Sequence, residues 1–199
     1  IVPDVSREEL VASTGSDLAV LVEKRNRGEA VKVMSEVAAV VVAKLAAEKK
    51  IHGIISLGGG GGTAIGTAAM RALPVGFPKL MVSTLAASEN VPTYVGVKDV
   101  VMMPSVVDVA GLNRVSRPIF ANAAGAICGM VETQVSSSDD KPIIAASMFG
   151  NTTDCINQAK VILEEAGYEV LVFHATGTGG RAMESLIESG LVSGVLDLT

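Results

Sequence analysis

Apolar residues recur along this chain at two spacings. Over residues 28–50 the face of Val33, Val37, Val40, Val41 and Leu45 repeats at helical spacing and predicts one long helix. Short stretches of strand length and mainly apolar character follow at 51–57, 79–83 and 100–103, and again at 143–148, 169–174 and 195–198. Runs of this length, rich in Val, Ile and Leu, predict strands buried on both faces, as in a parallel sheet. Between them lie helical patterns at 63–73, ended by Pro74, at 112–131, at 153–166, closed by Gly167, and at 181–189, closed by Gly190. Arg117-Pro118 in the first turns of the 112–131 pattern puts the true start of that helix in question. Up to Asn26 the chain reads as polar and charged, with no element assigned.

Strand alternating with helix predicts an α/β fold: doubly wound, mostly parallel sheets with right-handed crossovers and helices on both faces. Residues 135–141, which include Ser-Ser-Ser-Asp-Asp, have linker composition and mark a subdomain boundary. Each half places a Gly/Thr loop between a buried strand and a helix, at the carboxyl ends of the strands where open α/β sheets bind ligands.

Composition narrows the picture. With 49% hydrophobic residues, 3% aromatic residues and no Trp, the core is built from Val, Ile, Leu, Ala and Met. A formal net charge of -5, with no cluster of Lys and Arg, argues against nucleic acid as a direct ligand. Cys128 and Cys155 stand in apolar helical contexts without zinc-ligand spacing and read as core thiols in a reducing, cytoplasmic compartment. The longest apolar run, 33–47, is interrupted by Glu36 and Lys44 and is too short to span a bilayer, so no membrane partner is expected. Asp4, Arg7, Glu8 and Glu9 rule out a signal-peptide pattern at the start. The first residue is not Met and residues 194–199 read as a strand with no helix after it, so the chain reads as a piece of something longer.

Two loops carry the candidate chemistry. Gly58, Gly59, Gly60, Gly61 and Gly62 before Thr63 give unobstructed backbone amides at the positive end of a helix, the arrangement that binds phosphate. The run lacks the Lys-Ser/Thr ending of a P-loop, and Ser83 and Thr84 stand where a dinucleotide fingerprint would place an acid. A tight turn with close helix–strand packing is the competing reading. The second loop, Thr176, Gly177, Thr178, Gly179 and Gly180, adds hydroxyls, and Arg181 adds a permanent charge able to pair with phosphate or carboxylate or simply to sit in solvent. His174, at the end of the strand feeding that loop, is either a general acid/base or a hydrogen-bonded structural residue. Ser83, Thr84, Thr152 and Thr153 either line the cleft or cap helices, and Asn113 is a further nucleotide-binding candidate; Asp108, ahead of the 112–131 helix, is a cap, a ribose contact or a weak metal candidate. Nothing else supplies a protein metal site, a nucleophile elbow or a two-carboxylate pair.

Four segments together resemble the Tm-one-like family: the Gly58 to Thr63 run, Pro104-Ser105-Val106-Val107-Asp108-Val109-Ala110-Gly111-Leu112-Asn113, Met148-Phe149-Gly150-Asn151-Thr152-Thr153, and Val172-Phe173-His174-Ala175-Thr176-Gly177-Thr178-Gly179-Gly180-Arg181-Ala182-Met183-Glu184. The likeness runs over nearly the whole chain. It implies two Rossmann-like subdomains sharing a cleft, at 1–135 and 142–199, the first without its N-terminal strand and helix and the second truncated at its C-terminal end. It also implies binding of ATP with magnesium, a homodimer and a protein partner. Two departures are visible: Gly60 stands where the family commonly has a Ser, which removes one hydroxyl contact to phosphate, and 83–90 departs from the family's shorter Ala-Ser followed by Gly. Three functions compete on these residues. The first is a nucleotide-binding module acting through a dimer or partner. The second is an enzyme on a small phosphorylated or carboxylated metabolite, with His174 as acid/base and Arg181 as anion clamp. The third is a structural dimerisation domain whose glycines serve packing.

Overall fold

The predicted strands assemble into two separate parallel sheets in a computed structural model that describes residues 2–135 and 140–199. The chain divides into two units, Ile1–Thr133 and Gln134–Thr199. Most of the linker segment, residues 136–139, lies outside the described residues.

In the first unit three helices, α1 (Arg7–Ala12), α2 (Leu18–Lys24) and α3 (Arg27–Ala47), precede β1 (Ile54–Gly58) and α4 (Gly60–Arg71). Then come β2 (Lys79–Ser83), α5 (Val91–Val95), β3 (Val101–Pro104) and α6 (Ser116–Glu132). The sheet order is β1-β2-β3, with Gly58 opposite Ser83 and Ser83 opposite Pro104, so the three carboxyl ends lie level. β2 is buried on both faces, as expected of a central parallel strand, whereas β1 and β3 at the edges are not: Ile55, Leu57 and Val101 are exposed. One face, Leu80 and Val82, packs on Ala123 and Ile127 of α6. The other face meets α4, where Gly66 comes so near β1 that a Cβ would stand 2.6 Å from the Ser56 hydroxyl oxygen. α3 lies along α4 as an outer layer, with α1 against it.

The second unit runs β4 (Ile143–Met148), α7 (Thr153–Glu165), β5 (Glu169–His174), α8 (Gly179–Glu188) and β6 (Val192–Leu196), in the order β5-β4-β6. Ile156 of α7 fills one face against Ala146 and Val170. The chain steps from β4 to β5 and then back past β4 to β6, so right-handed crossovers put α8 on the opposite face from α7.

Several expectations are corrected. The polar start is helical: Ser6 accepts from the Glu9 amide while the Glu9 carboxylate accepts from the Ser6 amide, a capping box that starts α1 despite the charge density. The carboxyl group of Glu9 is held below its ordinary pKa by that Ser6 amide and by the Ser6 hydroxyl. The short helix α5, with Pro in its first turn, was not expected at all. α6 begins at Ser116 rather than 112, because Asn113 Oδ1 accepts from the amides of Val115 and Ser116 and sets the start there, with Pro118 in the first turn. The last strand is Val192–Leu196, displaced toward the N-terminus by its pairing with β4. α4 and α8 start at Gly60 and Gly179, inside their glycine runs. Cys128 and Cys155 are both exposed, because α6 and α7 turn Ile127 and Ile156, the neighbouring positions, toward their sheets.

Candidate functional site

In the first unit the glycine run sits at the level carboxyl ends of the sheet. Gly58 ends β1, Gly59 is the N-cap of α4 with no side chain to cap it, and Gly60, Gly61 and Gly62 form the first turn. The amides of a helix's first turn have no partner within the helix, so here they point outward unsatisfied by any cap. What each glycine is needed for differs. A Cβ on Gly58 would stand 2.9 Å from the Cα of Gly62, so packing demands glycine there. A Cβ on Gly60 would meet nothing within 4 Å, while those on Gly59, Gly61 and Gly62 would make only ordinary contacts at 3.5 Å. None of these four has a positive φ. Glycine in the first turn of a helix weakens it, so packing and backbone conformation leave the run unexplained while unhindered access to the amides explains it.

The side chains around the run divide into core and rim. Thr63 Oγ1 and Ser83 Oγ lie 2.6 Å apart and both residues are fully buried, so these two hydroxyls serve each other across the α4–β2 contact, with Ser83 also accepting from the Leu85 amide. Thr84 is exposed, and its hydroxyl lies 3.5 Å from where a Gly59 Cβ would stand. Asp108 is exposed on the loop after β3, and the capping of α6 falls to Asn113 instead. Arg27, which the sequence did not single out, enters from the first turn of α3: its Nη2 is 3.7 Å from the position of a Gly61 Cβ. No sequence signal pointed to it, since the contact depends on how α3 lies on α4. Val106, next to the buried Ser105, has φ 64, a left-handed conformation that strains a β-branched residue at this same rim.

In the second unit two glycines of the β5–α8 loop have internal reasons, while a Cβ on Gly180 would make only an ordinary contact, 3.6 Å from the Ala175 carbonyl oxygen. A Cβ on Gly179 would stand 1.9 Å from the His174 carbonyl oxygen, and Gly177 has φ 69. His174 is exposed, with Nδ1 2.7 Å from Thr176 Oγ1. Its ring meets Phe149 edge to face at a centroid distance of 5.8 Å. Thr178 is the N-cap residue of α8 without a side-chain cap bond, Gly180 is half-buried and Arg181 is exposed, forming no salt bridge among the described residues. Thr152 Oγ1 accepts from the Phe149 amide and donates to the Phe149 carbonyl, and Thr153 Oγ1 donates to Gly150, so both hydroxyls close the turn before α7. The Ser147 hydroxyl donates to Asp197, holding that carboxyl below its ordinary pKa. Among the described residues no group of three His, Cys, Asp or Glu is placed to hold a metal ion, and no helix is long and apolar enough to cross a membrane.

Comparison with known proteins bears on both units. The profile of the Uncharacterised protein family (UPF0261) N-terminal domain matches residues 2–136, and that of its C-terminal domain matches 141–199. A UPF0261 protein of Clostridium tetani is 52% identical over 198 residues, which is 99% of this chain and 49% of that protein. One of Rhizobium meliloti is 49% identical over 199 residues, again 49% of its length. The ToMV resistance protein Tm-1(GCR237) of Solanum lycopersicum is 44% identical over 179 residues, 87% of this chain and 24% of the tomato protein. The chain thus spans about half the length of these bacterial relatives.

Proposed function

This chain belongs to the UPF0261 family, and on that premise we propose that it is a nucleotide-binding module that takes ATP, with magnesium, on the amides of Gly59 to Gly62, the bound nucleotide stabilising a homodimer or a surface for a protein partner. One observation carries the reading: four successive glycines at the start of α4 have no packing or backbone reason to be glycine, while their amides open at the carboxyl end of a parallel sheet. The Thr84 hydroxyl and the Arg27 guanidinium stand on two sides of this run and complete a shell of donors suited to a phosphate chain. The resemblance to the Tm-one-like family, with its implied ATP, points the same way. The β5–α8 loop contributes less to the proposal, because Gly177 and Gly179 are accounted for by their own backbone; Arg181 is exposed and forms no salt bridge among the described residues.

Calorimetric titration with ATP, ADP and inorganic phosphate, with and without magnesium, tests the proposal. We expect ATP to bind more tightly than phosphate, and Arg181→Ala to retain most of that affinity. Absence of any nucleotide binding would overturn the proposal, and loss of all binding in Arg181→Ala would move the site to the second unit. Sedimentation of the chain with and without ATP reads the dimer.

A further inference from the structure

An apolar groove lies between α2 and α3. α2 and α3 are joined by a two-residue corner: Asp17 caps α2 through the Ala19 amide, Arg25 takes φ 49 to end it, and Asn26 caps α3 by accepting from the Glu29 amide. A Lys24–Glu29 ion pair at 2.7 Å spans the corner. The two helices leave a groove of about 300 Å³ lined by Leu18, Leu21, Val22, Ala30 and Met34, with Arg25 and Arg27 at the corner end. α2 has no buried residue, Val22 is 62% exposed, and Leu18, Leu21, Ala30 and Met34 are half-buried, so the groove is open to water.

Arg27 links groove and run. It lines the groove, and its guanidinium also lies against the first turn of α4, where the helix end is itself positive. A cation at the positive end of a helix is unfavourable unless an anion lies between them, and among the described residues no carboxylate forms a salt bridge with Arg27. An apolar cleft of this size, ending at a cation that borders free amides, calls for a ligand that joins a compact apolar group to an anion by a short spacer. A nucleotide has that shape, and a guanidinium plane also stacks on a base.

We propose that the α2–α3 groove receives the base of the nucleotide whose phosphates lie on Gly59 to Gly62, with Arg27 bridging base and phosphate. The inference rests on the nucleotide reading above and adds where the base goes and which residues select for it. It makes the groove, rather than the phosphate run, the source of preference for ATP over a bare phosphate chain.

The test compares ATP, tripolyphosphate and octyl phosphate on the wild-type chain and on Ala30→Phe, which fills the groove without touching the glycine amides. ATP should bind the wild type at least tenfold more tightly than tripolyphosphate, and Ala30→Phe should erase that difference while leaving tripolyphosphate unchanged. Arg27→Ala should weaken both. A 2-aminopurine riboside triphosphate should change its emission on binding the wild type, a readout that needs no variant, and Leu21→Ser provides a second groove variant should Ala30→Phe lose its circular dichroism. Equal affinity for ATP and tripolyphosphate, an equal fall of both in Ala30→Phe, or preference for octyl phosphate would overturn the groove assignment and leave the phosphate site standing. Failure of every phosphate ligand to bind the wild type would overturn both.

Discussion

Replacing Gly60, Gly61 and Gly62 together by alanine separates the two explanations of the glycine run. If these glycines serve packing, three added methyl groups must clash and the protein must lose stability. The structure predicts the reverse. A Cβ meets nothing within 4 Å at Gly60, and its nearest neighbours at Gly61 and Gly62 are at 3.5 Å, an ordinary contact distance. All three residues lie inside α4 and none has a positive φ. A Gly→Ala change at a compatible position stabilises by about 0.4–1 kcal/mol, chiefly by narrowing the unfolded ensemble, so the triple variant should gain about 1–3 kcal/mol. Gly58→Ala is the internal control: its methyl would stand 2.9 Å from the Cα of Gly62, backbone that cannot move aside cheaply, and it should destabilise by about 1–3 kcal/mol. Urea unfolding reads the total, and hydrogen exchange of α4 peptides assigns the change to the first unit whatever the second unit does. Helix Cβ atoms lean toward the N-terminus, so the same methyl groups crowd the free amides, and ATP affinity should fall at least tenfold in the stabilised variant. A destabilised triple variant would refute the argument that packing leaves these glycines unexplained. A stabilised variant that binds ATP as before would refute the site.

Two further outcomes follow from the charged groups. Lys79 is fully buried, with Nζ 2.9 Å from the Phe77 carbonyl and 2.7 Å from Asp99, whose other oxygen accepts from the Gly76 amide. Asp99→Ala strands a buried ammonium and should cost about 2–4 kcal/mol in urea unfolding, whereas Lys79→Met leaves a carboxylate that is 41% exposed and should cost under about 1 kcal/mol; equal losses would contradict this asymmetry. Asp197 has a pKa below the ordinary value because Ser147 donates to its ionised form, so its contribution is fully present above the unfolded-state pKa of about 4 and is lost as pH falls through the lower folded value. Stability measured against pH should therefore show Asp197→Asn below wild type at neutral pH and converging with it in acid; a gap that does not narrow on acidification would dismiss the Ser147 hydrogen bond as its cause.

The sequence by itself determined what is local. Short apolar stretches located the six strands of the described residues, but the expected burial on both faces holds for β2 and fails for β1 and β6, where exposed and half-buried residues alternate; Pro74, Gly167 and Gly190 closed helices where expected, because chain reversal is set by neighbouring residues. The Ser6–Glu9 capping box was legible in the same way, but a charged composition hid it. Alternation of strand and helix was enough for parallel sheets. The tertiary structure decided which polar groups face a ligand. Thr63 and Ser83 look like cleft residues in sequence and turn out to bond each other in the core, while Asn113 is occupied at the start of α6. Of two glycine loops that read alike, the first has four successive glycines without an internal reason and the second has one such glycine, Gly180, and Arg27 reaches the first loop from a different helix. The difference is physical: period, caps and turn residues act over a few neighbouring positions, whereas the partner of a hydroxyl or guanidinium depends on which surfaces pack together, and that is fixed only when the helices close on the sheet.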